Sequence, residues 1–167
     1  APAGAAECEG FRFPDTLNLG GKTLVLNGLG LREATVFMVD VYVAALYVAA
    51  RSGDAAAVLA APGAKRLVLH FLRDVDLEDI TGAWNEGFAK TAGEGLGALE
   101  GRIATLNAWM ATMKEGQRLV FTSRAGVEVE VAGKVRGTIP GDDFARAFLA
   151  IWLGPEPPNE GLKSGLL

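Results

Sequence analysis

Cysteine occurs once in this chain, as Cys8, and histidine once, as His70. A single thiol excludes both an internal disulfide and a cysteine-based zinc site. No apolar run reaches the roughly 18–20 residues of a membrane-spanning helix without an interrupting charge. Basic blocks are also missing, and the formal net charge of -4 argues against nucleic acid as a partner. There is no internal repeat or low-complexity tract, and tyrosine is limited to Tyr42 and Tyr47. Apolar residues are what the chain has in quantity. They make up 50% of its 167 residues, which suits one compact domain with a sizeable core. A small molecule or a protein remains as the partner class.

The chain opens APAGAAECEG. Small residues of this kind resemble the start of a mature chain after a signal-peptidase cut, or an artificially trimmed start, so a periplasmic or secreted location is expected. Cys8 lies too far into the chain to be a lipidated terminal cysteine. Residues 1–10 are expected to form a flexible segment and residues 11–167 one domain.

Lys22–Leu26 reads as a strand before a Gly28/Gly30 punctuation, and Val36–Val48, rich in Val, Tyr and Phe, reads as sheet. Ser52-Gly53-Asp54 supplies a turn and an N-cap for a short helix through Ala60, which Pro62-Gly63 ends. In the next strand-like run, KRLVLHFLRDV, Leu67, Leu69 and Phe71 share one face and His70 lies out of phase with them. Asp76 is placed to cap a helix toward Lys90, with Ile80, Trp84, Gly87 and Phe88 at helical spacing. A second helix is expected from Ala98 to Met113, ended by Gly116. RLVFTSRAGVEVEVAGKVRGTI then alternates, with turns at Arg124–Gly126 and Ala132-Gly133, and reads as an antiparallel meander. Asp142 is placed to cap the helix DDFARAFLAIWLG, and a short helix from about Asn159 to Leu166 closes the chain. Runs of strands and runs of helices in one small chain indicate an α+β architecture, an antiparallel sheet with helices on one side.

Arg32 stands at the mouth of the long apolar stretch Gly28–Val48. A guanidinium cannot shed its charge, so even partial burial there calls for a carboxylate of the protein or an acidic ligand. Asp40 is one candidate within the chain. Arg32 and Tyr42 share strand parity, and a hairpin between them would put both on one face. EATVFMVD between them has no Gly or Pro to mark a turn, and a straight strand would hold them roughly 33 Å apart at about 3.3 Å per residue.

The succession GLGLR, VYVAALYV, HFLRDVDLEDITGAWNEGF and GTIPGDDFARAFLAIWLGPEPPNEGLKSGLL resembles the chalcone isomerase-fold superfamily, most closely its bacterial chalcone isomerase-like branch, over nearly the whole chain. The resemblance implies an open-faced β-sandwich, a large antiparallel sheet backed by a layer of helices with a ligand cleft between them. This fold houses chalcone-cyclising plant enzymes, fatty-acid-binding proteins and noncatalytic relatives, so the residues must choose among them. Arg32 matches the arginine that steadies the phenolate in the enzymes. Tyr42 stands where a threonine is expected, Asn107 has no tyrosine on its helix to pair with, and Asp142–Leu153 contains no serine or threonine. The same two positions look more like the fatty-acid-binding branch, in which an arginine and a tyrosine clamp a carboxylate. A planar guanidinium fork and a phenol suit that role.

The expected function is therefore noncatalytic binding of an apolar or amphipathic acidic small molecule, fatty-acid-like, through Arg32 and Tyr42. No catalytic residue, metal ligand or cofactor is assigned. One alternative is an isomerase or intramolecular lyase in which Arg32 stabilises an oxyanion and Tyr42 donates a proton. The other is an accessory protein that works through a protein partner and needs no ligand. Tyr47 is read as structural, and His70 as a surface or capped strand residue, because no Ser, Cys or second His spacing supports catalysis or haem ligation. Asp74, Asp76, Glu78 and Asp79 read as a solvated helix start that complements the macrodipole rather than as a metal site. Trp84, Trp109 and Trp152 read as core or cleft wall.

Overall fold

The computed structural model describes residues 4–34 and 39–167. Two short strands, β1 (Ala5–Cys8) and β2 (Phe11–Pro14), pair as a separate antiparallel hairpin. Residues 5–8, expected within a flexible segment, are thus held as a strand. The reason lies in β2, whose Phe13 anchors the hairpin by burying its ring. Seven further strands make one antiparallel sheet in simple sequence order. They are β3 (Thr16–Leu19), β4 (Lys22–Ala34), β5 (Val39–Val48), β6 (Lys65–Phe71), β7 (Arg118–Ser123), β8 (Gly126–Val131) and β9 (Lys134–Pro140). The part of the expected Val36–Val48 strand before Val39 lies outside the described residues. The meander of β7 to β9 forms as its alternation predicts, with each strand paired to the next.

Helices α1 (Ala55–Ala60), α2 (Leu77–Thr91), α3 (Leu96–Trp109), α4 (Asp142–Leu153) and α5 (Glu160–Leu166) complete the chain, with a single 3-10 turn at Gly93–Gly95. Asp54 caps α1 by accepting a hydrogen bond from the Ala56 amide at 3.0 Å. Asp76 holds the N-cap position of α2 without making a side-chain cap bond. Asp142 is already the first residue of α4, and Gly141, at φ 109°, takes the N-cap position expected for it. Helix α3 ends earlier than its apolar stripe suggests. Met110 turns extended, and Met113 instead pairs its backbone with Val75 at 2.8 and 2.9 Å.

The sheet buries side chains on both faces. On one, Leu67, Leu69 and Phe71 of β6 pack with Trp84, Phe88, Phe144, Phe148 and Trp152 of the helices. On the other, Val43, Ala45, Tyr47 and Val68 pack beneath Phe13. Tyr42–Val48 is therefore buried throughout, which is why it reads as a continuous apolar run instead of an alternating one. Each large apolar side chain so buried contributes about 1.5–3 kcal/mol.

Gly28 and Gly30 do not break β4, which runs through both to Ala34. Their role is contact with α5. A Cβ at Gly28 would overlap the Gly165 carbonyl, and one at Gly30 would overlap the Leu162 carbonyl. The missing side chains let the helix backbone lie directly on the strand. Asn27 pins the far end, its Nδ2 donating to the Leu166 and Ser52 carbonyls at 2.6 and 3.0 Å. Helix α5 is thereby seated on β4, next to Arg32.

Candidate functional site

Arg32 on β4 and Tyr42 on β5 are direct antiparallel partners, so the hairpin forms without a Gly or Pro signal and continues to Ala34 opposite Val39. A register shift between Arg32 and Glu33 marks a bulge beside the pair. Directly opposed residues point to one face of a sheet. Both side chains line a cleft of about 740 Å³ between the sheet and α2. Val39, Val41, Phe71, Ile80, Trp84 and Ile151 give it an apolar wall, and Arg73, Asp79, Lys90 and Glu156 lie among its polar lining.

The Arg32 guanidinium is held along one edge. Its Nη1 donates to the Glu33 carbonyl, to the Pro158 carbonyl at 3.3 Å and to Asn159 Oδ1 at 3.4 Å. Asn159 is itself tied to β4, donating to the Leu31 carbonyl at 3.1 Å and accepting from the Glu33 amide at 3.3 Å. No carboxylate lies within 4.0 Å of Arg32 among the described residues, and Asp40, the expected internal partner, is not one. Nε and Nη2 have no hydrogen-bond partner in that set. The charge is positioned by neutral oxygens and neutralised by none of them.

Tyr42 is 7% exposed. Its hydroxyl accepts from Trp152 Nε1 at 2.9 Å, and its ring lies 5.6 Å from that of Phe71. Burial pushes the phenol up to about 12, against the Trp152 hydrogen bond and the nearby Arg32 charge, which both pull it down. The group is therefore protonated at neutral pH and keeps its hydrogen.

The other residues considered from sequence fall elsewhere. Tyr47 is structural, as expected, its hydroxyl donating to the Pro14 carbonyl at 2.8 Å on the opposite face of the sheet. His70 is buried at 5% exposure, the capped rather than the surface alternative expected for it, because β2 covers it. It packs against Phe11 with ring centroids 4.0 Å apart, and its Nδ1 accepts from Arg118 Nε at 3.0 Å. Asn107 donates to Asn85 at 2.9 Å, and Asp74 accepts from the Glu115 amide at 2.9 Å and pairs with Lys114 at 3.5 Å. Among the described residues no group of three His, Cys, Asp or Glu is arranged to hold a metal, and no helix is long and apolar enough to cross a membrane. Trp84 and Trp152 are both core and cleft neighbours, at 5.5 Å between centroids, while the Trp109 ring lies over Gly137. Sequence reasoning missed Pro158 and Asn159, which steady Arg32 from 126 and 127 residues away. It also missed the bond from Trp152 to Tyr42, for which no spacing gives a signal.

Residues 5–167 match the family described as chalcone isomerase-like. The chain belongs to the chalcone isomerase-like family. No protein of curated function matches it. A solved structure similar to this chalcone isomerase-like chain is the fatty-acid binding protein of Arabidopsis thaliana. The two superpose with a TM-score of 0.78 over 97% of this chain and 95% of that one, at 15% sequence identity. At that identity the likeness is one of fold: a curled antiparallel sheet backed by helices.

Proposed function

We propose that this chalcone isomerase-like chain is a noncatalytic binding protein for an apolar or amphipathic acidic molecule, fatty-acid-like. Its acid group would meet Arg32 and Tyr42, and its tail would occupy the cleft. The observation that carries this reading is the pairing of Arg32 with Tyr42 in one apolar-walled cleft, with no carboxylate beside the guanidinium among the described residues. A fork of charged donors beside a neutral phenol donor complements a carboxylate. The cleft volume is also in the range of small-molecule sites. The similar Arabidopsis structure, named for fatty-acid binding, supports the same reading at the level of fold.

The test is native mass spectrometry of freshly purified protein, with extraction of any bound mass, beside Arg32→Ala. An acidic amphiphile present in the natural chain and lost in the variant is the expected result. A bare mass with no uptake of added fatty acids would sink the proposal.

A second reading, isomerase or intramolecular lyase chemistry, draws on one observation: a phenol held protonated next to a fixed positive charge can donate to a developing oxyanion. Turnover of a chalcone-like substrate that is lost in both Arg32→Ala and Tyr42→Phe would select it.

A further inference from the structure

The contact between Trp152 and Tyr42 is a one-way hydrogen bond. Indole Nε1 donates to the phenol oxygen at 2.9 Å, and an indole nitrogen has no lone pair with which to accept in return. The phenol hydrogen must therefore leave in another direction, and no acceptor takes it among the described residues. Leaving a buried donor unpaired is costly, so the arrangement suits an acceptor brought by a ligand. Trp152 is itself fixed. It is 1% exposed, and its ring packs against Phe148 and Trp84 with centroids 5.0 and 5.5 Å away. Swinging the indole aside would require those two rings to move.

We infer that Trp152 is a positioning residue of the cleft: it occupies the acceptor side of Tyr42 Oη and so aims the phenol as a donor at the ligand. The inference rests on the ligand reading above and narrows its chemistry. The ligand atom facing Tyr42 is an acceptor, and Arg32 alongside favours one that is ionised, as in an alkyl carboxylate. An alkylammonium head, which only donates, is refused twice, by the phenol hydrogen and by the guanidinium charge. Neither Trp152 nor its partner needs to react for this selection to work.

The experiment is a calorimetric titration with dodecanoate of the unsubstituted protein, Trp152→Phe, Tyr42→Phe and the double variant. Trp152→Phe is expected to bind about five- to tenfold more weakly, the worth of one well-aimed hydrogen bond. In the Tyr42→Phe background the same substitution is expected to cost less than about twofold, because the indole acts through the phenol. A purely structural tryptophan would weaken binding equally in both backgrounds, and that result overturns the inference. So does a Trp152→Phe variant that binds as well as the unsubstituted protein.

Phenylalanine at this position leaves unfilled space in the core, so a second measurement keeps the tryptophan. In 1H–15N spectra the Trp152 indole resonance is expected to move downfield when dodecanoate is added, since a phenol that donates more strongly also accepts more strongly. In Tyr42→Phe it should not move. An indole resonance indifferent to dodecanoate in the unsubstituted protein also overturns the inference. Failure of the unsubstituted protein to bind dodecanoate at all sinks the ligand reading itself, which separates the two failures.

Discussion

Arg32 and Arg118 sit on opposite faces of the same sheet, and their surroundings differ in what holds each one and what it faces. Arg118 is engaged by protein. Its Nε donates to His70 at 3.0 Å, and its guanidinium lies 5.0 Å from the centre of the Phe13 ring, under the β1–β2 hairpin. Arg32 is held from one side by backbone and amide oxygens, and its other edge faces the cleft. One arginine packs between His70 and the Phe13 ring of the hairpin. The other is fixed in direction and lines the cleft. Neither guanidinium has a carboxylate within 4.0 Å among the described residues, so what separates the two is the wall each faces, an apolar cleft for Arg32 and the Phe13 ring for Arg118, and residue type alone does not reveal it.

Substitutions should separate the two faces. The largest effect is expected from Phe13→Ala, which opens a cavity under the hairpin and costs about 3–5 kcal/mol by the usual range for buried phenylalanine. Denaturant unfolding would measure it, and dodecanoate affinity of the folded fraction should stay within about twofold. Retained stability would show that the hairpin is not anchored through Phe13.

Gly30→Ala should couple stability to affinity, which Phe13→Ala leaves separate. A methyl there meets the Leu162 carbonyl, so α5 must shift, at about 1–3 kcal/mol for overpacking. Because Pro158 and Asn159 precede α5 and steady Arg32, ligand affinity should fall together with the unfolding midpoint. A loss of stability without loss of affinity would break that link.

Arg32→Ala and Arg118→Ala make the direct comparison. The first removes charge-assisted bonds to the ligand and should weaken dodecanoate binding about 10- to 100-fold, with little change in unfolding midpoint. The second should leave binding within about twofold and lower stability by about 1 kcal/mol, through the lost bond to His70 and the lost ring contact. Exchange of these two outcomes would invert the assignment of the faces.

The smallest expected effect is in pH dependence. Burial, and then the Arg118 charge, lower the His70 pKa below its ordinary 6.5. The unfolded chain then takes up a proton before the folded one does, so the full stability is present above about pH 6.5 and declines as pH falls from there toward the folded value. His70→Gln, which can still accept from Arg118, should flatten that part of a plot of unfolding free energy against pH. An unchanged slope between pH 7 and 5 would show that His70 does not set it.

Much of the fold could be read from the chain because its signals are local. The alternation of β7 to β9, the aspartate that caps α1 and the helical stripe of Phe144, Phe148, Ile151 and Trp152 each need only a few neighbouring residues to be recognised. The site was half legible. Arg32 and Tyr42 carried parity and a family resemblance, whereas Gly28 and Gly30 looked like punctuation because the helix they admit lies over 130 residues away. Whether His70 was exposed or capped stayed open for a related reason. Its parity put it off the helix-side face correctly, but nothing in its own strand announces that β2 covers the other side.

Local pattern alone was enough for an α+β chain with an antiparallel meander, one thiol, and an arginine at the mouth of an apolar run whose burial would call for a compensating anion. These follow from periodicity and from a charge that cannot be neutralised by proton loss. It took the folded structure to bring Arg32 opposite Tyr42 across a strand pair, Asn159 against Arg32, and the Trp152 indole against the Tyr42 hydroxyl. Hydrogen bonds are satisfied in three dimensions, by groups whose separation along the chain leaves no trace in local pattern.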